Sequence, residues 1–243
     1  MKTLAKIALT TALLVLCGAN TMAQKWGKKI QGDGNITTKT VTTSDYDRVD
    51  VVGSMDVILE RGTEGSITVT TDDNLHEYIS IESSGGQLKI KIENNVSLKT
   101  KKGINITVPF ESLSEVSLVG SGDVNGKDLI KSDAFEVSVT GSGDLNLKVE
   151  AMRLDAKVTG SGDMVLSGTA MEFEVKVSGS GDFDGRSLKA ENTQAYVSGS
   201  GDAEVYAKTS LKARVNGSGD IRYGGDPATR DTKVSGSGTI KSM

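Results

Sequence analysis

From residue 116 onward, apolar and polar positions alternate in short runs, and every run ends at the same four residues. The segment Gly-Ser-Gly-Asp starts at Gly120, Gly141, Gly160, Gly179, Gly199 and Gly217, and a seventh copy, Gly236-Ser237-Gly238-Thr239, carries threonine in place of the aspartate. The steps between copies are 21, 19, 19, 20, 18 and 19 residues. Two residues before each copy stand Leu118, Val139, Val158, Val177, Val197, Val215 and Val234. Four before stand Val116, Val137, Ala156, Val175, Ala195, Ala213 and Thr232, and directly after come Val124, Leu145, Met164, Phe183, Ala203, Ile221 and Ile240. A spacing of two is the period of a strand with one buried face. Strands that hold one register through seven copies bury those faces by stacking coil on coil. The pattern therefore predicts an all-β fold, a three-sided β-solenoid, and more particularly a right-handed parallel β-helix. The hand follows from the general crossover preference. A coil of about 19 residues suits two or three short strands with tight corners. If the chain stays extended through the motif, both glycines point inward. They then either narrow the interior or supply a bend with φ > 0.

Upstream the pattern is looser. Ser66-Ile67-Thr68-Val69-Thr70, Leu88-Lys89-Ile90-Lys91-Ile92 and Ile104-Asn105-Ile106-Thr107-Val108 alternate, and a worn copy, Gly53-Ser54-Met55-Asp56, keeps the flanks Val49, Val51 and Val57. Residues 44–118 read as irregular first coils of a single domain over 44–243, with the regular coils at 119–243. Residues 24–43, polar and rich in glycine, threonine and lysine, read as a flexible leader.

Composition sets the compartment. Lys2 and Lys6, an apolar stretch from Ile7 to Cys17, and Thr21-Met22-Ala23 form a tripartite export signal, with cleavage expected after Ala23. The alternative is lipid attachment at Cys17, which Leu14-Val15-Leu16 fit poorly. Cys17 is the only cysteine and leaves with the signal, so neither disulfide nor thiolate chemistry remains. Loss of Lys2 and Lys6 leaves 26 basic residues against 32 acidic ones, a net charge of −6. Without a concentrated basic run, nucleic acid is not the expected partner. No stretch after Ala23 is long enough to cross a membrane as a helix. The expected location is the periplasm, the outer-membrane surface or the exterior.

Tyr46-Asp47-Arg48-Val49-Asp50-Val51, the Gly53-Ser54-Met55-Asp56 segment, Thr70-Thr71-Asp72-Asp73-Asn74-Leu75 before Leu88-Lys89-Ile90, and the later repeats together resemble the head GIN domain, a family labelled "putative auto-transporter adhesin". The resemblance covers residues 44–243. It implies a secreted β-helical domain of Gram-negative bacteria and brings no catalytic residues or cofactor.

Three outward-facing groups are candidate sites. Asp123, Asp144, Asp163, Asp182, Asp202 and Asp220 would stack about 4.8 Å apart, close enough to share calcium. Alternatively each carboxylate accepts N–H groups at its own corner. Thr140, Thr159, Ser178 and Ser198, with Ser142, Ser161, Ser180 and Ser200, would form a flat hydroxyl face able to bind a glycan or a protein surface, or a solvated ladder satisfying itself. Lys157, Lys176, Arg214 and Lys233 stack outward, with Glu136, Asp155 and Glu174 two residues earlier, and read as an ion-pair lattice. His76, the only histidine, is expected in a surface loop. It has no partner for a triad or a zinc site.

The sequence points to a non-catalytic adhesin-like or scaffold module. The alternatives are a carbohydrate-active β-helix enzyme, a polysaccharide lyase or hydrolase whose site would need the spare chain of residues 58–115, and a structural or envelope-stress component. At the C-terminus the inward pattern runs to the end. The last coil is expected to be covered either by the loop from Gly224 to Arg230 or by a second chain, end to end.

Overall fold

The computed structural model describes residues 27–243; the expected signal, its cleavage site and Cys17 lie outside them. The chain runs through β1 (Lys28–Gln31), β2 (Ile36–Thr42), β3 (Arg48–Gly53), β4 (Asp56–Arg61), β5 (Ser66–Asp72), a 3-10 helix (Asp73–Tyr78), β6 (Ile79–Ser84), β7 (Gln87–Ile92), β8 (Val96–Lys99), β9 (Asn105–Phe110) and β10 (Glu115–Gly120). The repeat region follows as β11 (Val124–Gly141), β12 (Leu145–Gly160), β13 (Met164–Gly179), β14 (Phe183–Asp184), β15 (Leu188–Gly199), β16 (Ala203–Tyr206), β17 (Ser210–Gly217), β18 (Ile221–Gly224), β19 (Thr229–Gly236) and β20 (Ile240–Ser242).

The repeat region is a β-solenoid of about seven turns with coils of about 19 residues. Every neighbouring pair of coils is parallel. Gly120, Gly141, Gly160, Gly179, Gly199, Gly217 and Gly236 lie in one column. The alternation predicts the inside correctly: Leu145, Leu147, Val149, Leu154, Ala156 and Val158 of β12 are buried, while Asn146, Lys148 and Lys157 are exposed. The phase breaks once, at Met152-Arg153, where two successive residues face outward and the coil turns.

The first glycine of each motif does both things considered for it. Gly160 has φ +116, and a Cβ there would lie 2.3 Å from the carbonyl oxygen of Gly141 in the coil below. The second glycine has ordinary φ and is required by space alone, because a Cβ on Gly162 would lie 2.1 Å from the oxygen of Gly143.

The N-terminal half departs from a simple run of first coils. β3 pairs in parallel with β10, setting the worn Gly53 opposite Gly120, and β4 pairs with β11. On their other side β3 pairs with β7 and β4 with β9, again in parallel. The coil of residues 48–61 is thus inserted between that of residues 87–110 and that beginning at Glu115. Stacking order is not chain order. Antiparallel strands then close this end: β6 on β7, β5 on β9, and β2 on β5.

The flexible leader expected over 24–43 is corrected for its described part. β2 runs antiparallel to β5 from Ile36 opposite Asp72 to Thr42 opposite Ser66, and β1 pairs with β8. β2 is polar because it is an edge strand with most of its residues facing solvent. What anchors the segment is Asp72, a fully buried carboxylate. Its Oδ1 accepts the N–H of Gly34 at 2.7 Å and its Oδ2 that of Lys101 at 3.0 Å. Gly32 packs so closely on the carboxyl group that a Cβ there would lie 2.3 Å from its carbon.

The C-terminal end is finished differently. Arg230 and Thr232 of β19 stand in the inward columns of Leu211 and Ala213. The Arg230 guanidinium donates to the Pro227 carbonyl at 3.2 Å, within the loop that the sequence marked, and to the hydroxyl of Tyr223 in β18 at 3.4 Å. The last coil therefore turns polar residues toward its open side, a substitution the alternation obscured. Val234 stays 40% exposed, so the loop does not cover it.

Candidate functional site

At the corners the six candidate aspartates form a continuous ladder, joined by main-chain donors. The N–H of Asp144 donates to Asp123 Oδ1 at 3.1 Å, that of Asp163 to Asp144 at 2.9 Å, and that of Asp182 to Asp163 at 2.8 Å. Asp202, Asp220 and Thr239 continue it at 2.7, 2.8 and 2.7 Å. The donor comes from the next coil rather than from the carboxylate's own corner, which corrects the local reading. Thr239 ends the ladder by also donating its hydroxyl to Asp220 at 2.9 Å, and this contact first, then its N–H, lowers the Asp220 pKa. Among the described residues no group of three or more histidine, cysteine or acidic side chains is placed to hold a metal ion.

Ser142, Ser161, Ser180 and Ser200 are exposed at the same corners. Their main-chain N–H groups donate to Gly120, Gly141, Gly160 and Gly179 at 2.8 Å, so their backbone builds the turn and their hydroxyls face outward. Thr140, Thr159, Ser178 and Ser198 lie one position before the corner glycines and stack in one column, each opposite the next. Thr140, Ser178 and Ser198 are exposed, whereas Thr159 Oγ1 is covered and has no hydrogen-bond partner among the described residues.

Two further outward columns share this face. One contains Lys157, Lys176, Tyr196, Arg214 and Lys233 in consecutive coils. The other contains Glu115, Glu136, Asp155, Glu174, Gln194, Lys212 and Asp231. The expected ion-pair lattice forms only in part. Lys176 pairs with Glu174 and Arg214 with Asp231, but Asp155 is taken by Arg153 at 2.8 Å rather than by Lys157. Tyr196 and Lys212 were missed, although a reading of the same two columns contains them. The ammonium groups of Lys176 and Lys212 stand 5.8 and 5.7 Å from the Tyr196 ring centre. The face also has an axial polarity. Its N-terminal end is acidic, and the Glu115 pKa is raised, chiefly by burial and then by Asp50 and Glu136.

A shallow groove of about 490 Å³ runs along the basic half, between Lys157, Lys176, Tyr196, Arg214 and Lys233 and the hydroxyl column of Ser178 and Ser198. A second groove, of about 760 Å³, follows the coil bend at Ala151 and Ala170, with Met152 and Met171 58% and 45% exposed beside it. His76 lies in the 3-10 helix rather than a loop. It is partly buried, with Nε2 3.0 Å from Thr37 Oγ1. Desolvation, then Lys39, lowers its pKa. No described helix is long and apolar enough to cross a membrane.

These features define a class: a parallel β-solenoid whose corners are glycine-aspartate joints and whose flat faces carry ordered columns of side chains. Within it the chain belongs to the family described as "Putative auto-transporter adhesin, head GIN domain", whose model matches residues 45–227. A protein of Bacteroides fragilis described as a "putative adhesin" has the same fold, with a TM-score of 0.84 at 24% identity, over 88% of this chain and 100% of its own. A "putative lipid binding protein" of Parabacteroides distasonis matches at 29% identity and a TM-score of 0.75, covering 89% of this chain and all of the other. A "putative adhesin" of the same species matches at 26% and 0.73 over the same shares. A comparison with curated proteins finds no match.

Proposed function

We propose that this protein is an exported, non-catalytic, adhesin-like module of the cell envelope that holds its ligand on the outer face of the solenoid. The observation that carries this reading is the column Thr140-Thr159-Ser178-Ser198, one small hydroxyl residue per coil in strict register beside the Lys157-Lys176 column. Such a face repeats a small polar contact along coils spaced about 4.8 Å apart, with a gap at Thr159, whose hydroxyl is covered, and suits an extended or repetitive surface. The family description and the adhesin-named neighbours support it. The name of the Parabacteroides lipid-binding relative keeps an amphiphile among the ligands to be screened.

The residues that an enzymatic cleft would need for its walls, 58–115, are spent on strands of the first coils and on the antiparallel strands that close them. The test is an array of glycans and envelope lipids probed with the protein and with Ser178→Glu/Ser198→Glu. Binding that the double variant loses is the expected result. Binding that it retains would move the site off this face.

A further inference from the structure

We propose that the basic half of this face is a binding track for an acidic polysaccharide lying along the solenoid axis; the inference rests on the binding-module reading above and names its ligand class. Three observations converge. First, five cations, Lys157, Lys176, Lys212, Arg214 and Lys233, occupy two adjacent columns of consecutive coils. Like charges directly opposite each other in a sheet are destabilising, so the arrangement opposes folding unless anions neutralise it. The protein supplies anions only to Lys176 and Arg214. Lys157, Lys212 and Lys233 have no carboxylate partner among the described residues. Positive charge is left over on a chain that is acidic as a whole.

Second, the groove beside Lys157, Lys176, Arg214 and Lys233 has an apolar floor at Val177, Val197 and Val215 and is bordered by Ser178, Ser198, Asn216 and Ser235, short side chains that leave it shallow. A face that alternates cations with hydroxyl and amide groups matches a polymer that alternates carboxylate or sulfate with hydroxyl. The coil spacing of about 4.8 Å is close to the length of one sugar residue in an extended chain. Third, the Tyr196 ring sits in the cation column between Lys176 and Arg214, held by its hydroxyl on Gln194 at 2.8 Å. An aromatic face among donors is suited to packing against the C–H face of a sugar ring.

Other polyanions and surfaces fit less well. A single aromatic gives no stacking ladder for nucleic-acid bases. A bilayer needs apolar anchors, and of the exposed large apolar side chains Val119, Met152, Val165, Met171 and Met243 lie away from the cations, leaving Val234 alone beside Lys233.

The experiment is calorimetric titration of the protein with polygalacturonate and with chondroitin sulfate, beside neutral dextran and a double-stranded DNA oligomer. It is repeated for Lys157→Gln/Lys212→Gln/Lys233→Gln and for Tyr196→Ala. The three lysines make no ion pair, and removing them relieves like-charge repulsion, so the triple variant should melt no lower than the wild type, and a melt of each variant accompanies the titration. The expected result is binding of at least one acidic polysaccharide that weakens steeply with salt, as when bound counterions are released. It should weaken about tenfold or more in the triple variant, while dextran stays silent. A folded triple variant that binds as tightly as the wild type overturns the proposal, as does DNA binding of equal strength. A neutral glycan that binds this face while both acidic polymers fail would also overturn it, yet leave the binding-module reading standing.

Discussion

The main-chain N–H of Asp163 donates to Asp144 Oδ1 at 2.9 Å, across the gap between two stacked coils. An exposed carboxylate thus serves as an adhesive between backbones. It satisfies the one N–H that the corner turns away from the strand ladder. Repeated at each copy, the contact explains why aspartate follows the second glycine; in the seventh copy Thr239 takes that place and donates both its N–H and its hydroxyl to Asp220.

The corner glycines differ in what they require. Gly160→Ala meets both a forbidden φ and a backbone oxygen, whereas Gly162→Ala meets only the oxygen. Because the obstacle is backbone of the coil below, neither can relax, and each substitution should cost about 3 kcal/mol. Gly85→Ala is the control: its φ is +58 but nothing lies within 4 Å of the added carbon, so about 1 kcal/mol is expected. Chemical denaturation of the three variants checks the order.

Asp72 should make the N-terminal strands acid-sensitive. The N–H of Lys101, and after it that of Gly34, hold its pKa below the usual carboxylate value, with burial opposing them. A depressed pKa means the unfolded chain takes up the proton first. The stabilisation is therefore complete above the unfolded value of about 3.9 and is lost as pH falls through the lower folded value. Asp72→Asn should melt lower at neutral pH and show a flatter acid dependence. Melts that fall in parallel for both proteins would remove Asp72 from the account.

His76→Ala should cost about 1 kcal/mol or less, since it removes one contact to Thr37 from a partly buried ring. Its lowered pKa carries the same sign as that of Asp72. Wild-type stability should decline slightly as pH falls below the ordinary histidine range, and His76→Ala should lack that component. Thermal melts at neutral and mildly acidic pH read both effects.

The repeat region was legible because each inward position is set by simple alternation: Val139, Val158 and Val177 stand where spacing alone puts them. The N-terminal half was less so. Nothing local in Gly53-Ser54-Met55-Asp56 says that its coil lies between two later ones, since that order is fixed by pairing over long sequence separations. β2 read as a leader because an edge strand exposes its Thr and Lys side chains. Asp72 looked like any loop aspartate, because its donors, Gly34 and Lys101, are 38 and 29 residues away. The hydroxyl and cation columns were visible as patterns. The charges left without partners on Lys157 and Lys233 needed the geometry that assigns Asp155 to Arg153 and Asp231 to Arg214.

The C-terminal end should depend on Arg230. It is exposed, in register with the inward Leu211, and keeps a charged group on an edge that would otherwise invite pairing. Arg230→Leu should raise the mass seen by light scattering, through edge-to-edge association of β19. An end-to-end dimer would meet at the exposed Val234, so Val234→Asp should return any dimer to monomer. Unchanged mass in both variants would show that this end takes no part in association.

The corner as a structural joint is tested most directly by thermal melting of Asp163→Asn and Asp163→Ala, each with chelator and with millimolar calcium. Asparagine keeps the Oδ1 that accepts the Asp182 N–H; alanine does not. Asp163→Asn should melt close to the wild type. Asp163→Ala should lose about 1 kcal/mol, roughly 2–4 °C for a chain of this size, and calcium should shift none of them by more than that. A large calcium-dependent rise in the wild type, lost equally in both variants, would contradict the account and make the ladder a cation site.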